Sequence, residues 1–181
     1  KMGLEVGKPI VTFRLEEAFA AYLLDRALDN RPFCIPILRE LLQMGCDAQL
    51  VALPRYGRQA SILKREFGRR VFVPKSVVDG FSLLSHTSVF IGAGGTMTAE
   101  SALMGVPSIS CFPSEATYVE KYLIQLHLLE RMTRPRQVAL RTIAILGDEE
   151  IRRSYRRRAI DAVRKMEDPV EVIVDGIKRI D

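Results

Sequence analysis

The sequence predicts a doubly wound α/β domain, a parallel sheet with helices on both faces, closed by further C-terminal helices. Three observations predict it. Short, almost wholly apolar runs alternate with helical periods along the first three quarters of the chain. One of these runs, Val89–Ile91, passes directly into Gly92, Gly94 and Gly95 and then into a helical period. Beyond residue 134 only helical signals remain.

The elements follow in order. Ile10–Phe13 is a short apolar run after Pro9 and reads as a buried strand. Ile35–Met44 has a helical period closed by Gly45. Gln49–Leu53 is a second strand, Arg58–Phe67 a helix stopping at Gly68, and Val71–Val73 a third strand ended by Pro74. Val78–Leu84 is a short helix, Ser88–Ile91 a fourth strand, and Thr96–Met104 a helix ending at Gly105. Pro107–Phe112 is a fifth strand, and Val119–Glu130 reads as helical throughout. Strands buried on both faces are expected to be continuously apolar, and their crossovers to be right-handed. Asp148 and Asp168-Pro169 are helix-start signals. The organisation expected is therefore an α/β domain over residues 1–134, with helices of residues 135–181 packing on the same domain.

Composition narrows the function classes. The 181 residues are 48% hydrophobic and 27% charged, values of a globular chain rather than a disordered or fibrous one. No apolar run approaches the roughly 20 residues that span a bilayer, and Lys1–Lys8 has no signal-peptide character. Lys1 in place of a start methionine suggests a fragment or a processed form. Cys34, Cys46 and Cys111 are widely spaced in apolar surroundings, which reads as reduced core thiols of a cytoplasmic protein. His86 and His127 stand alone, and no metal-ligand cluster is expected. The net charge of +5 raises the odds of an anionic partner. Much of the excess lies in Arg152, Arg153, Arg156, Arg157, Arg158, Arg164 and Lys165, which reads first as a solvated helix face and second as a nucleic-acid surface.

The most informative stretch is Val89 to Glu100. Glycines let the backbone approach a ligand and adopt positive φ, and the helix N-terminus that follows offers unpaired N–H groups and a positive dipole end. Together these suit a phosphate or diphosphate, with Thr96 and Thr98 adding hydroxyls. In an open α/β sheet the loop falls at the carboxyl ends of the strands, where ligands sit. The loop has no P-loop lysine, and Met97 replaces the third glycine of a GxGxxG pattern. The plainer alternative is a tight strand-to-helix turn. Glu100, about one turn into the helix, is placed to accept bonds from ribose hydroxyls, or to complement the helix dipole. Arg14 ends the first strand and Arg55 the second, so both point to the same edge, with salt bridges to Glu16 or Glu17 as the alternative for Arg14.

Gly94-Gly95, then Glu100-Ser101-Ala102-Leu103-Met104-Gly105-Val106-Pro107, resembles the donor-site signature of GT-B proteins. It is similar to that of UDP-N-acetylglucosamine 2-epimerases and of the N-acetylglucosaminyltransferases of lipid II synthesis. Val11-Thr12-Phe13-Arg14 with Glu16, the Gly-Ala-Gly-Gly-Thr-Met-Thr segment and Ser110-Cys111-Phe112-Pro113 resemble a largely archaeal group of epimerase-like GT-B proteins. The resemblance covers nearly the whole chain and matches the C-terminal half of such proteins. It implies a Rossmann-like doubly wound parallel sheet, the C-terminal domain of a GT-B fold.

The resemblance also implies roles. Arg14, Gly94, Gly95 and Thr96 would contact the diphosphate and Glu100 the ribose. Val73, Lys75 and Ser76 lie where the base is held, largely by backbone groups. Glu115 and Glu120 lie where the donor sugar is contacted, with a solvated loop and helix face as the plainer reading. The implied ligand is a nucleotide sugar, UDP-linked by analogy, with no cofactor or metal. The implied partner is an N-terminal GT-B domain, which would supply the acceptor side and often the catalytic base. No catalytic residue is identified, and the sequence is compatible with a homo-oligomer. A regulatory or scaffold protein using the same half-fold without chemistry is the alternative of a different class.

Overall fold

The computed structural model describes residues 3–17 and 32–179. Six strands form one parallel sheet: β1 (Ile10–Arg14), β2 (Gln49–Leu53), β3 (Val71–Phe72), β4 (Val89–Gly92), β5 (Ser108–Ser110) and β6 (Leu129–Arg131). Their order is β3-β2-β1-β4-β5-β6. The helices are α1 (Cys34–Gln43), α2 (Gly57–Phe67), α3 (Gly80–Ser85), α4 (Thr96–Leu103), α5 (Tyr118–Gln125), α6 (Pro135–Gly147), α7 (Glu149–Val163) and α8 (Pro169–Lys178).

The apolar strand runs have the meaning the sequence suggested, because both sheet faces are covered. Val11, Phe13, Val89 and Ile91 point to one face, in a core shared with Ile37, Leu38 and Leu41 of α1, Leu63 of α2 and Val138 of α6. The alternate residues Ile10 and Val51 meet Leu83 of α3 on the other face, and Phe90 meets Leu84. Thr12 is buried there too, its hydroxyl 2.7 Å from that of Thr87, which in turn donates to the Leu83 carbonyl. The polar group on a central strand is thereby satisfied.

One expectation is corrected. Residues 119–130 are not one helix: α5 stops at Gln125, and Leu129–Arg131 is a sixth strand paired with β5. His127 adopts φ +54 and turns the chain. No glycine or proline marks this break, and a three-residue strand with one buried leucine, Leu129, is too short to show a period of its own.

The C-terminal helices differ from one another. The first, α6, packs on α1, and α7 packs on α4 and α6. Gly105 allows the α4–α7 approach, since a Cβ there would stand 2.7 Å from the Arg156 backbone. By contrast, α8 buries none of its residues and leaves Val170, Ile173 and Ile177 exposed, so it does not pack on the domain as expected. It contributes no core, and a ten-residue helix is marginal alone. Removing residues 168–181 is therefore expected to move the thermal midpoint by less than about 2 °C, in the range of surface changes. Differential scanning calorimetry of the shortened chain checks this.

Candidate functional site

The strand order reverses direction between β1 and β4, because the chain builds outward from β1 to β3 and then returns to the other side of β1. At such a switch point the loops leaving two neighbouring strands part and open a crevice at their carboxyl ends. Register places specific residues there. Arg14 pairs with Gly92 on one side and Leu53 on the other, and Gly92 pairs with Ser110, which pairs with Arg131. The row Leu53, Arg14, Gly92, Ser110 and Arg131 is the floor of the crevice edge.

The glycine loop rises from this row. Gly94 has φ +80, and Gly95 has φ +87 with ψ 178, a conformation open essentially to glycine alone. Gly95 is the N-cap of α4 and supplies no side-chain cap, so the helix start depends on backbone groups. Thr98 is buried and donates to the Gly94 carbonyl at 3.0 Å, so it holds the loop rather than meeting a ligand. Thr96 is exposed at the first helical position, and Glu100 is exposed one turn further on. The loop has a basic wall and an apolar one. A Cβ on Gly95 would lie 3.5 Å from an Arg55 guanidinium nitrogen, and one on Gly94 would lie 3.5 Å from the Phe112 ring.

The two arginines are held differently. Arg14 is half-buried, and its Nη1 donates at 3.3 Å to the carbonyls of both Leu53 and Pro54. Burial, and next the charge of Arg55, push its pKa down. It remains a cation, as arginine does in proteins. Arg55 donates through Nε to the Leu15 carbonyl at 3.2 Å and lies 3.6 Å from Glu17. Two like charges and a helix N-terminus thus converge on one edge. Glu16 sits beneath them, buried, its carboxylate accepting from the Phe33 N–H at 3.3 Å. Burial pushes the Glu16 carboxyl above its usual range, against that hydrogen bond and the charge of Arg55. Sequence reading placed Arg14 foremost; the guanidinium against Gly95 is that of Arg55, a proximity that only the fold supplies.

The remaining candidates surround this centre. Val73, Lys75 and Ser76 follow β3, with Lys75 and Ser76 exposed. Asp79 is an N-cap, accepting from the Ser82 N–H at 3.2 Å. Glu115 is exposed in the loop after β5. Glu120 is turned inward, only 4% exposed. It accepts from the Ser110 hydroxyl at 2.5 Å and from the Thr117 N–H at 3.1 Å, in a capping box that starts α5. The solvated-face reading of Glu120 is corrected by this, since the side chain is buried and caps its own helix. No group of His, Cys, Asp and Glu that could hold a metal occurs among the described residues.

The arginine-rich helix α7 is largely committed within the protein. Arg153 and Arg157 pair with Glu149 and Glu150. Arg152 donates to the carbonyls of Ile145 and Leu146 at the end of α6. Arg158 donates to the His127 carbonyl and stacks 4.5 Å from the Tyr155 ring centroid. These contacts favour the structural face over a nucleic-acid surface.

A cleft of about 590 Å³ beside β6 holds a second polar cluster. Glu130 accepts from Arg141 Nη2 at 2.6 Å and from its Nε at 2.8 and 3.0 Å, and from the Tyr155 hydroxyl. Burial pushes the Glu130 carboxyl up, but these bonds outweigh it and hold its pKa below the usual value. A depressed folded-state pKa stabilises the fold above the unfolded carboxylate value of about 4.3, and that contribution is lost as pH falls through the folded value. Arg141→Met is expected to destabilise most at neutral pH, and its deficit relative to the parent should shrink below about pH 4.3. Urea midpoints between pH 3 and pH 7 check this.

Comparison with known proteins agrees with the fold. The chain is 39% identical over 106 residues to an uncharacterised protein of Methanocaldococcus jannaschii, MJ0665, an overlap of 55% of this chain and 30% of that protein. The fold matches the UDP-GlcNAc 2-epimerase of Neisseria meningitidis bound to UDP-GlcNAc, with TM-score 0.63 at 10% identity, over 97% of this chain and 45% of the epimerase. It matches the glycosyltransferase SnogD of Streptomyces nogalater with TM-score 0.59 at 19% identity, over 97% and 43%. The glycosyltransferase VinC in complex with dTDP matches with TM-score 0.65 at 13% identity, over 98% and 43%. The chain thus has the Rossmann-like half of the GT-B architecture and spans less than half the length of these proteins. No described helix is long and apolar enough to cross a membrane. The family defined as proteins of unknown function DUF354 matches residues 2–180, and the chain belongs to that family.

Proposed function

We propose that this chain is the nucleotide-sugar-binding half of a glycosyltransferase-like or epimerase-like protein, with a UDP-linked sugar as its ligand. The observation that carries the reading is the Arg55 guanidinium beside Gly95 at the α4 N-terminus, with Arg14 ending the adjacent strand in register with Gly92, at the β1/β4 switch point. A diphosphate there would accept bonds from backbone N–H groups and neutralise two arginines that otherwise repel. Glu100 would take the ribose hydroxyls. The loop of Val73, Lys75 and Ser76 would take the base, and Glu115 the sugar. Such a site lowers the barrier to glycosyl C–O cleavage by stabilising charge on the departing diphosphate with donors already in place. The acceptor side and any catalytic base would come from a second, N-terminal GT-B domain.

Calorimetric titration with UDP, GDP and ADP, on the parent chain and on Glu100→Ala, tests the reading. UDP is expected to bind best, and loss of the ribose contacts is expected to weaken it about tenfold, the size of a hydrogen bond to a charged group. Absence of binding by every diphosphate at millimolar concentration overturns it.

A further inference from the structure

The loop between β5 and α5, Phe112–Thr117, is braced from two directions. Arg131, the last residue of β6 and in register with Ser110, donates through Nη2 to the Phe112 carbonyl at 3.0 Å and also to the Ser114 carbonyl. At the other end, Glu120 holds the Thr117 N–H and the Ser110 hydroxyl. Ser110 in turn accepts from the Phe112 N–H at 3.4 Å. The Phe112 ring closes the frame against Gly94. Between the braced points, Glu115 projects to solvent.

We infer that Arg131 is a positioning residue for sugar recognition: it fixes the loop that presents Glu115, and so governs how the site reads the sugar without touching it. The inference rests on the nucleotide-sugar reading above. Its physical basis is that one nitrogen of a planar, rigid guanidinium donates to two carbonyls of one loop and so holds them in a single geometry. A lysine ammonium at the same position also offers more than one donor, but on a flexible stem with rotating N–H groups it fixes the two carbonyls less firmly. The loop is then fixed before ligand arrives, and less ordering entropy is lost on binding. Arg131 touches neither Arg55 nor the glycine loop: it binds the carbonyl of Phe112, whose ring faces Gly94, while Gly95 faces Arg55.

The test compares UDP with UDP-N-acetylglucosamine on the parent chain, Arg131→Gln, Arg131→Lys and Glu115→Gln by calorimetry. UDP affinity is expected to stay within about twofold, while the advantage of the sugar nucleotide over UDP falls about tenfold in Arg131→Gln and is partly restored in Arg131→Lys. Combining Arg131→Gln with Glu115→Gln should cost little more than either alone, because both act through one contact. Amide exchange across residues 112–117 should also speed up in Arg131→Gln. Equal loss of both ligands would mean a structural role only, and no change in the ratio would remove Arg131 from recognition; both outcomes overturn the inference while UDP binding persists. If the parent chain binds neither ligand, the functional reading itself fails and the inference falls with it.

Discussion

Replacing Gly105 by alanine is expected to destabilise the fold by about 2–4 kcal/mol, the sum of strain at positive φ and a steric overlap in a packed interface. Gly105 follows α4 with φ +76, so any Cβ is strained there. That Cβ would also stand 2.7 Å from the Arg156 Cα and 3.3 Å from the Ala159 Cβ. Neither is the far end of a flexible side chain, so relief requires α4 and α7 to move apart. Their separation would open the small core of Ala102, Leu123, Ala159 and Ala162. Gly45→Ala is the internal comparison. Gly45 has φ +66 and nothing within 4 Å of its would-be Cβ, so only the strain remains, about 1–2 kcal/mol. Urea denaturation of the two variants measures the difference, which is the steric part. Equal losses would mean that the α4–α7 approach is looser than described.

Arg55→Met is expected to weaken UDP binding about 10- to 100-fold while leaving the fold nearly as stable as the parent. The range corresponds to one or more hydrogen bonds to a charged group, at roughly 1.5–3 kcal/mol. Arg55 is the guanidinium beside Gly95, and its internal contacts are one carbonyl bond and a distant carboxylate. Losing it also relieves the repulsion on Arg14. Arg14→Met should behave differently. Its guanidinium ties two carbonyls at the end of β2 to the end of β1, so stability and UDP binding should fall together. Calorimetry paired with thermal melts separates the two. Because both contacts are ionic, the affinity of the parent chain should also drop with added salt more steeply than that of Arg55→Met.

What the sequence made legible follows from the physics of each signal. Apolar strand runs and glycine stops located five of the six strands, since burial on both faces leaves a strong mark. The glycine loop was legible because positive φ at Gly94 and Gly95 demands glycine, and the helix start follows at once. Leu129–Arg131 was hidden because its chain reversal is made by His127 rather than by a glycine. The sequence put Arg55 on the ligand edge but behind Arg14, because which arginine meets Gly95 depends on strand order and not on spacing. Glu120 reads as a ligand group by its charge, yet its partners are Ser110 and Thr117, one of them on a neighbouring strand. Arg131 carries no motif at all; its role follows from its register with Ser110.

The most direct test of the donor-site account is an amide chemical-shift titration of the ¹⁵N-labelled chain with UDP. The largest changes are expected on Gly94, Gly95, Thr96 and Glu100, with a second group at Lys75 and Ser76. Changes confined to the cleft around Tyr155 and Arg158, or no changes up to millimolar UDP, would contradict it.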